Sequence, residues 1–412
     1  MTRRPQVLVF AYACDPTMGS EPGAGWGVVR ALARVADCTV LVGPDHAEGL
    51  RQWATRDQGR DLQFAIVDEP GWGQWCPRSR NGRFLRYLGW LRAARRAALR
   101  LDLNRFDVTW HVTYSTYWLP APAATLGLPC VWGPVGGGVT TPVTLWPALG
   151  VAGIGHDCLE RTAVRLLSWM PATRRTWRQA SIALVQNEST LARLPRALRS
   201  RATVLNHALY TASPPTLPTT RDPHLVVFAG ALESRKGASL AISALQYTRP
   251  DVRLLIAGDG PARPSLERLA ARLRVTQRIT WAGHVQRSVV AHLWRRAAAA
   301  VFTGVREEGG VALAEAMLSG TPIIVLAHGG AEAVASRNLD PRRAALILPA
   351  SPERVIHALA DAMDRFTAAT FDDTPFLDHG SAVTALHEVL ATVLASPAVA
   401  GHADTRGVAV AS

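Results

Sequence analysis

Hydrophobic and polar positions alternate in blocks along the chain up to Val112. Short continuous apolar runs, rich in β-branched residues, are separated by longer segments with apolar positions at helical spacing, which predicts strands and helices in turn. Continuous apolar strands joined by helices are typical of a parallel sheet that is covered on both faces. The predicted strands are residues 7–12, 38–42, 62–67 and 108–112, and the predicted helices are residues 26–36, 47–59 and 82–101.

The first run, residues 7–13, has a second interpretation. It follows Arg3 and Arg4, as the apolar core of a short secretory signal would. Its length is at the lower limit for such a core, and its β-branched residues and the Gly-rich stretch behind it favour a buried strand. No run of about 18 apolar residues occurs, so no transmembrane helix is predicted.

A second series of strands and helices begins behind residues 210–220, a stretch rich in Pro and Thr with no helical or strand period. The predicted fold class is therefore α/β, with two doubly wound domains of residues 1–210 and 224–370 and a linker of residues 211–223. Residues 371–412 are expected to form a C-terminal helix, with a return to the first domain as one option, and a flexible tail. The strands predicted in the second domain are residues 225–229, 252–257, 278–281, 299–303, 322–326 and 345–348.

The composition adds three constraints. The 412 residues are 48% hydrophobic and 19% charged, which suits two large cores and excludes a disordered chain. The five cysteines form no CxxC pair, which excludes a disulfide framework and a zinc site and indicates reduced core residues of a cytosolic protein. The net charge of +13, of which residues 1–205 carry +11, indicates an anionic partner such as nucleic acid, a membrane surface or a phosphorylated substrate.

The densest chemistry lies in residues 303–322, where a predicted strand is followed by a helix that opens at about Gly310. The free N–H groups at the start of this helix would face the cleft between the domains as an anion site. Glu307 precedes the helix and Glu315 lies inside it, and an ionised carboxylate there accepts hydrogen bonds from sugar hydroxyls. The simpler alternative is that Glu307 and Glu308 only complement the helix dipole. The N–H groups concerned are those of Gly310, Val311 and Ala312.

Glu307 and Glu315, with seven residues between them, resemble the E-x7-E signature of the family 4 retaining glycosyltransferases, which have the GT-B fold of two facing Rossmann-like domains. Four further segments between residues 225 and 335 resemble motifs of this family in the same order. They are the phosphate-binding strand and loop at residues 228–237, a βα turn at residues 256–261, the base-binding segment at residues 281–285 and the small-residue loop at Gly329 and Gly330.

The resemblance implies a role for each matching residue. Glu315 would bind the ribose of a nucleotide diphosphate sugar, Glu307 the transferred sugar and Lys236 the diphosphate. Lys236 is the only lysine among 45 basic residues, which suggests that a compact ammonium is needed there, and chance retention is the alternative. The family usually has Arg where this chain has Ala231, which leaves Arg235 as a substitute or weakens donor binding. The remaining donor-binding residues implied are Gly230, Gly258, Gly283, His284, Gly309, Gly310, Val311 and Ala312.

The first domain adds two glycine-rich segments, residues 18–27 and 132–138, which resemble a bacterial branch of the same family. Their glycines permit close backbone approach, so either loop is expected to hold a sugar or a phosphate. His111 ends a predicted strand; the family has a His there, close to the reacting sugar, whereas a strand-end His by itself is more often a packed structural residue. The cleft residues predicted in these segments are Gly19, Ser20, Glu21, Gly23, Gly136, Gly137 and Gly138.

Residues 78–105 hold nine arginines against the single carboxylate of Asp102, and they are interleaved with aromatic and leucine side chains. This mixture suits a helix that lies on an anionic membrane, and an ordinary solvated Arg-rich helix is the alternative. Residues 161–178 repeat the mixture with Trp169 and Trp177.

The resemblance thus implies a retaining, metal-independent glycosyltransferase with Glu307, His111 and Lys236 as catalytic residues, a nucleotide sugar as co-substrate and no cofactor. No Asp-x-Asp triplet occurs to hold a metal between phosphates. The basic first domain favours a lipid-linked saccharide as acceptor, in bacterial polysaccharide assembly at the inner face of the cytoplasmic membrane; a soluble natural product or sugar is the alternative. Two other classes are a nucleic-acid-binding protein, for which no recognised motif occurs, and a non-catalytic nucleotide-sugar-binding protein, motivated by Ala231.

Overall fold

A computed structural model of the protein shows two α/β domains that face each other across a cleft. The strand pairs of both sheets are parallel. Helices pack against both faces of each sheet, which is why the strands are continuous hydrophobic runs in the sequence. This architecture confirms the predicted fold class. The structure describes residues 3–55, 61–71, 76, 80–211, 219–338, 340–377 and 379–395.

The strands of the first domain are β1 (Gln6–Phe10), β2 (Asp37–Val42), β3 (Leu62–Ile66), β4 (Val108–His111), β5 (Cys130–Val135), β6 (Ile182–Val185) and β7 (Ala202–Val204). They form one sheet in the order β3-β2-β1-β4-β5-β6-β7. Val7 of β1 pairs with Cys38 on one side and with Val108 on the other, so the first strand of the chain lies inside the sheet.

The described residues of the first domain form seven α-helices. In α4 the backbone leaves the helical region at Gly150, so the long rod that follows begins at Val151. The helices are α1 (Ser20–Ala33), α2 (Ala47–Ala54), α3 (Arg80–Ala98), α4 (Trp146–Ser168), α5 (Pro171–Gln179), α6 (Glu188–Arg193) and α7 (Arg196–Arg199).

The second domain repeats the design with six strands: β8 (Asp222–Ala229), β9 (Arg253–Ala257), β10 (Ile279–Gly283), β11 (Ala297–Phe302), β12 (Ile323–Leu326) and β13 (Ala344–Ile347). Their order is β10-β9-β8-β11-β12-β13. All six correspond to strands predicted from hydrophobic runs. The helices are α8 (Ala238–Leu245), α9 (Arg263–Arg272), α10 (Arg287–Arg296), α11 (Val311–Leu318), α12 (Gly330–Ala335), α13 (Pro352–Thr367) and α14 (His379–Leu394).

The last helix, α14, packs on the first domain. His387 in α14 lies 3.1 Å from the carbonyl oxygen of Ala31 in α1, and the Tyr210 hydroxyl donates to the carbonyl oxygen of Ala382 at 2.8 Å. The C-terminal helix therefore ties the two domains together away from the cleft. Most of the predicted linker, residues 212–218, and the predicted tail, residues 396–412, lie outside the described residues.

Two sequence expectations differ from the structure at this level. Cys14, Cys38 and Cys130 are buried, but Cys158 is exposed on α4, so the description of the cysteines as core residues is wrong for it. The strands β5, β6 and β7 were not predicted; β5 contains Gly133 and Pro134, which interrupt a strand pattern. None of the described helices is both long and apolar enough to cross a membrane.

Candidate active-site cleft

A cleft of about 750 Å³ lies between the two domains. The loops behind β4 and β5 line its first-domain side, and the loops behind β8 and β11 line its second-domain side. These loops meet because the carboxyl ends of parallel strands lie at one edge of a sheet, where doubly wound domains bind ligands. Both walls therefore consist of strand-end loops held by rigid sheets.

Lys236 and Glu307 form an ion pair on the second-domain wall. Lys236 precedes Gly237, which has a φ of 67° and where a Cβ would lie 2.1 Å from the carbonyl oxygen of Thr303, so the chain turns here as only glycine allows. The Lys236 Nζ donates to Oε2 of Glu307 at 2.5 Å. Burial raises the pKa of Glu307, but the charge and the hydrogen bond of Lys236 outweigh burial and hold this pKa below its ordinary value. Glu307 is thus an ionised carboxylate in the cleft.

The N-terminus of α11 opens onto the same wall. Gly310, with a φ of 77°, precedes the helix and donates its backbone N–H to Oε1 of Glu307 at 3.3 Å. Glu315, a turn and a half into the helix, is buried and accepts a hydrogen bond from Nε of Arg287 at 2.8 Å. Burial raises the pKa of Glu315, and the charge of Arg287 offsets this only in part. The two carboxylates of the E-x7-E spacing therefore lie on one wall, and each has a cationic partner.

Glu308 connects the domains. Its Oε1 accepts the backbone N–H of Val139 at 2.9 Å, and its Oε2 lies 3.3 Å from the donating Nδ2 of Asn187. Burial raises the pKa of Glu308, while the N–H groups of Gly137 and Val139 act against this shift. The N–H groups of Gly137 and Val139, at the end of the stretch where a bound sugar or phosphate was predicted, thus hold a carboxylate of the second domain.

The opposite wall carries polar atoms without a protein partner. Glu21 accepts the backbone N–H of Tyr114 at 2.9 Å, and its other oxygen lies 3.7 Å from Nδ1 of His207. Gln186 donates toward the same Nδ1, but its Oε1 is buried and makes no hydrogen bond with any described residue. The Oγ1 of Thr116 is unpartnered in the same way. Unpaired buried acceptors are rare, and hydroxyls of a ligand would satisfy both.

The glycine-rich stretch at residues 18–27 is a helix, not the predicted loop. The helix α1 begins at Ser20, and a Cβ at Gly25 would lie 2.3 Å from the carbonyl oxygen of Ala13. A Cβ at Gly27 would lie 2.0 Å from the carbonyl oxygen of Tyr210. These glycines let α1 lie directly against two backbone segments, which is a packing role. Of the residues predicted here, Ser20 and Glu21 line the cleft, whereas Gly19 and Gly23 do not.

His111 lies in the core of the first domain and not on the cleft surface. It is 1% exposed, its ring stacks on Phe10 at 6.0 Å, and its Nε2 lies 3.0 Å from the Tyr87 hydroxyl. Burial lowers the pKa of His111 to about 3, so the ring is neutral at physiological pH. This environment is that of a packed structural histidine, the alternative that the residue pattern alone favours, and the catalytic role stays a prediction.

Most of the other predicted residues lie at the cleft. Arg235 lines it, but its Nε donates to Glu233 at 2.6 Å, and Ala231 lines it as an exposed side chain. Gly258 lies behind the wall, where a Cβ would meet the carbonyl oxygen of Gly230 at 1.9 Å. The predicted residues at the cleft are Gly136, Gly137, Gly230, Arg235, Lys236, Glu307, Gly309, Gly310, Val311, Ala312 and Glu315, and those away from it are Gly138, Gly258, Gly283 and His284.

Some residues of the cleft region were not assigned a binding role from the sequence. Glu308 was weighed only as a partner of the helix dipole, although its position next to Glu307 was a signal that could have found it. Arg287 opens α10 and reaches Glu315 across helices, and Arg306 forms ion pairs with Glu160 of the first domain. Contacts between distant segments leave no local sequence pattern, so these two arginines could not have been found.

The comparisons with known proteins agree with this geometry. Residues 212–366 match the family model of Glycosyl transferases group 1. An uncharacterized glycosyltransferase of Methanocaldococcus jannaschii is 33% identical over 111 residues, which are 26% of this chain and 28% of the relative. A D-inositol 3-phosphate glycosyltransferase of Xylanimonas cellulosilytica is 32% identical over 117 residues, 27% of this chain and 28% of the relative. The chain therefore spans just over a quarter of the length of these curated relatives.

The fold extends the likeness to nearly the whole chain. Anabaena HepE, solved in complex with UDP, superposes with a TM-score of 0.57 and 14% sequence identity, over 94% of this chain and 100% of that chain. This likeness identifies the fold as GT-B, with two facing Rossmann-like domains. It agrees with the family match, which covers the second domain.

Proposed function

We propose that this protein is a retaining, metal-independent glycosyltransferase of the family 4 type, which moves a hexosyl-type sugar from a nucleotide diphosphate sugar to an acceptor hydroxyl. The observation that carries the proposal is the arrangement of Lys236, Glu307 and Glu315 around the N-terminus of α11 on one wall of the cleft. The match of residues 212–366 to a glycosyltransferase family supports it.

The second domain would hold the donor. The Lys236 ammonium and the free N–H groups at the start of α11 offer positive charge to a diphosphate. Glu307, kept ionised by Lys236, would accept hydrogen bonds from hydroxyls of the transferred sugar, and Glu315 from the ribose. Because both carboxylates already have cationic partners, donor binding would rearrange the pairs of Lys236 and Arg287.

In the transfer step, the acceptor oxygen forms a bond to the anomeric carbon while the bond from that carbon to the diphosphate oxygen breaks. The departing diphosphate takes the proton of the acceptor hydroxyl. Because attack and departure occur on one face, the configuration at the anomeric carbon is unchanged. Lys236 stabilises the charge that develops on the diphosphate. The protein supplies position and electrostatic stabilisation, since no residue of the cleft is assigned as a covalent nucleophile.

The first domain would hold the acceptor. Gln186 Oε1 and Thr116 Oγ1 lie in residues that line this wall, make no hydrogen bond within the described part of the chain, and suit saccharide hydroxyls. We propose a lipid-linked saccharide at the inner face of the cytoplasmic membrane as this acceptor, because the first domain carries most of the positive charge. A soluble sugar or natural product is the second candidate, because the same polar atoms would serve its hydroxyls equally well.

A donor-binding experiment tests the proposal. Calorimetry with a panel of nucleotide sugars should identify a ligand, and Glu315→Ala should weaken its binding about 10- to 150-fold, since each charged hydrogen bond contributes about 1.5 to 3 kcal/mol. Glu353→Ala, which removes an exposed carboxylate from the same domain, is the matched control. Unchanged affinity in a folded Glu315→Ala protein would contradict the donor assignment. Donor binding without transfer or hydrolysis would instead favour the non-catalytic binding protein.

The structure changes which side chains of residues 78–105 could contact a membrane. Tyr87 and Trp90 of α3 are buried in the core, and Arg86 is buried and paired with Glu69 and Asp45. Tyr87 and Trp90, two of the aromatic side chains on which the prediction depended, are therefore not available to lipid. The described part of this segment still offers exposed arginines, Arg92, Arg96, Arg100 and Arg105, with scattered exposed leucines; Arg78 lies outside the described residues.

The long helix α4 offers the better candidate. Its outer face carries Val151, Leu159 and Leu166, followed by Trp169, and these side chains are 69% to 90% exposed. Residues seven or eight apart lie on one face of a helix, so they form one apolar stripe. The guanidinium of Arg174 lies 4.8 Å from the ring centre of Trp169. Exposed cations near the stripe complement an anionic bilayer. They are Arg165, Arg174, Arg175 and Arg178.

Vesicle co-sedimentation tests the two surfaces against each other. Wild-type protein should pellet with anionic vesicles at low salt and less at high salt, because each arginine contributes about 1 kcal/mol that ions screen. Leu166→Ser with Trp169→Ser should lose this binding, and Arg92→Glu with Arg96→Glu should retain most of it. The reverse pattern would place the contact on α3. Wild-type protein that stays in the supernatant would make the soluble acceptor the better proposal.

A further inference from the structure

A second, smaller cavity of about 180 Å³ opens beside the cleft and is strongly basic. Four arginines from three separate parts of the fold line it, against a single carboxylate, that of Glu160. It shares Gly137, Glu160, Val164 and Arg306 with the wall of the cleft, so the two spaces adjoin. We call it the arginine pocket. Its arginines are Arg161 and Arg165 of α4, Arg193 of α6 and Arg306 before α11.

Two of these arginines are neutralised by the protein. Arg161 donates to Asp157 at 2.6 Å, and Arg306 forms ion pairs with Asp157 and Glu160. The guanidinium groups of Arg165 and Arg193 make no hydrogen bond or ion pair with any residue that the structure describes. The side chains of Arg165 and Arg193 are exposed, and two positive charges that line one small cavity repel each other; an anion bound between them would relieve this repulsion.

Tyr117 indicates that the charges of Arg165 and Arg193 lie close to one another. Its side chain is buried in the lining of the pocket, and burial raises its pKa. The charges of Arg193 and Arg165 both act against that shift, so both guanidinium groups lie near the phenol. The Tyr117 hydroxyl stays protonated and adds a neutral donor.

We propose that the arginine pocket binds a phosphate or diphosphate group carried by the acceptor, with Arg165 and Arg193 as its charged ligands and the Tyr117 hydroxyl as a further donor. Guanidinium forks match the oxygens of a phosphate, and two of them match its charge. The site is separate from the predicted donor site, because Lys236 and the start of α11 lie on the wall of the large cleft and not in the pocket. The inference rests on the proposed function and narrows the acceptor to a phosphorylated one.

The position of the pocket fits this role. Gly137 and Arg306 lie on the boundary between the pocket and the cleft, and Glu307 follows Arg306 directly. An acceptor anchored by its phosphate in the pocket can therefore extend a sugar hydroxyl into the cleft, toward the wall that holds the donor. Binding energy from this remote group would orient the reacting hydroxyl.

Calorimetry with inorganic pyrophosphate tests the site. The titrations use Lys236→Met protein, so that the donor wall contributes little to binding. Adding Arg165→Met and Arg193→Met should weaken pyrophosphate binding at least tenfold, since two charge-assisted contacts are lost. Arg196→Met with Arg272→Met, which removes two exposed arginines without a partner in the described protein, is the matched control and should leave the affinity unchanged. Equal affinity in all three proteins, or no saturable binding to the parent, would overturn the proposal.

Competition against pyrophosphate separates the sources of the phosphate. Decyl phosphate represents a lipid headgroup, glucose 1-phosphate a soluble sugar, and decyl glucoside a lipid without phosphate. Both phosphates should compete, and the tighter of the two identifies a lipid-linked or a soluble acceptor. Decyl glucoside that competes equally well would refute phosphate recognition.

The outcome is separable from that of the proposed function. Nucleotide-sugar affinity is measured in parallel and should fall in Glu315→Ala but not in Arg165→Met with Arg193→Met. Pyrophosphate binding without nucleotide-sugar binding would support the arginine pocket as a phosphate site and refute the proposed glycosyltransferase function. Nucleotide-sugar binding without pyrophosphate binding would refute the phosphate site alone.

Discussion

Replacing His111 by Phe tests whether this residue is a buried structural group or a catalytic one. His111 stacks on Phe10, and its Nε2 lies 3.0 Å from the Tyr87 hydroxyl. Burial lowers the pKa of its ring to about 3, compared with about 6.5 in an unfolded chain. Phe retains the stacked ring and removes the proton-binding site.

The size of the effect follows from proton linkage. As pH falls below about 6.5, the unfolded chain binds a proton at His111 that the folded protein refuses until about pH 3. The folded state therefore loses stability with falling pH, at about 1.4 kcal/mol per unit. Between pH 7 and pH 5 this single residue should cost about 2 kcal/mol. The unpaired Tyr87 hydroxyl in the variant adds a cost of about 1 to 3 kcal/mol that is the same at both pH values and cancels in the comparison.

Urea unfolding at pH 7 and pH 5 measures this difference. Wild-type protein and the control His284→Gln, which changes an exposed histidine, should lose about 2 kcal/mol more than His111→Phe over this interval. An equal loss in all three proteins would refute the buried-neutral account. A folded His111→Phe protein that binds donor normally but has lost transfer would restore the catalytic role predicted from the family resemblance.

Three further predictions concern the cleft. Lys236→Arg should lower turnover although it keeps the charge, because the planar fork cannot take the place of the ammonium beside Glu307; wild-type kinetics would remove the argument from the lone lysine. Ala231→Arg should tighten donor binding by roughly tenfold relative to Ala231→Gln by adding a second cation, and equal affinities in calorimetry would show that Ala231 is not a defect. Glu308→Ala should weaken the closed arrangement of the two domains by about 1 to 3 kcal/mol, because the N–H of Val139 loses its acceptor. Solution scattering should then give a larger radius of gyration than for wild type, and an equal value would contradict this prediction.

The sequence alone determined the layered fold and singled out several residues that lie on the second-domain wall of the cleft. Hydrophobic periodicity is a property of consecutive residues, and buried parallel strands need continuous apolar runs, so all six strands of the second sheet could be located. Glu307 and Glu315 were singled out by their place at a predicted junction of strand, loop and helix and by the resemblance of their spacing to the E-x7-E signature, and the structure places both on one wall of the cleft. Lys236 was singled out in addition because it is the only lysine in an arginine-rich chain.

The tertiary structure decided which face of each element is exposed and which distant residues meet. Trp90 of α3 and Trp169 behind α4 occur in similar basic, aromatic segments, yet one is buried and the other is 71% exposed, because only α3 presents its aromatic face to the sheet. His111 is neutral because other segments enclose it. Arg165 and Arg193 lie 28 residues apart and form a pocket only when α4 and α6 converge. Burial and charge depend on neighbours that the chain brings together from far apart, which no local pattern contains.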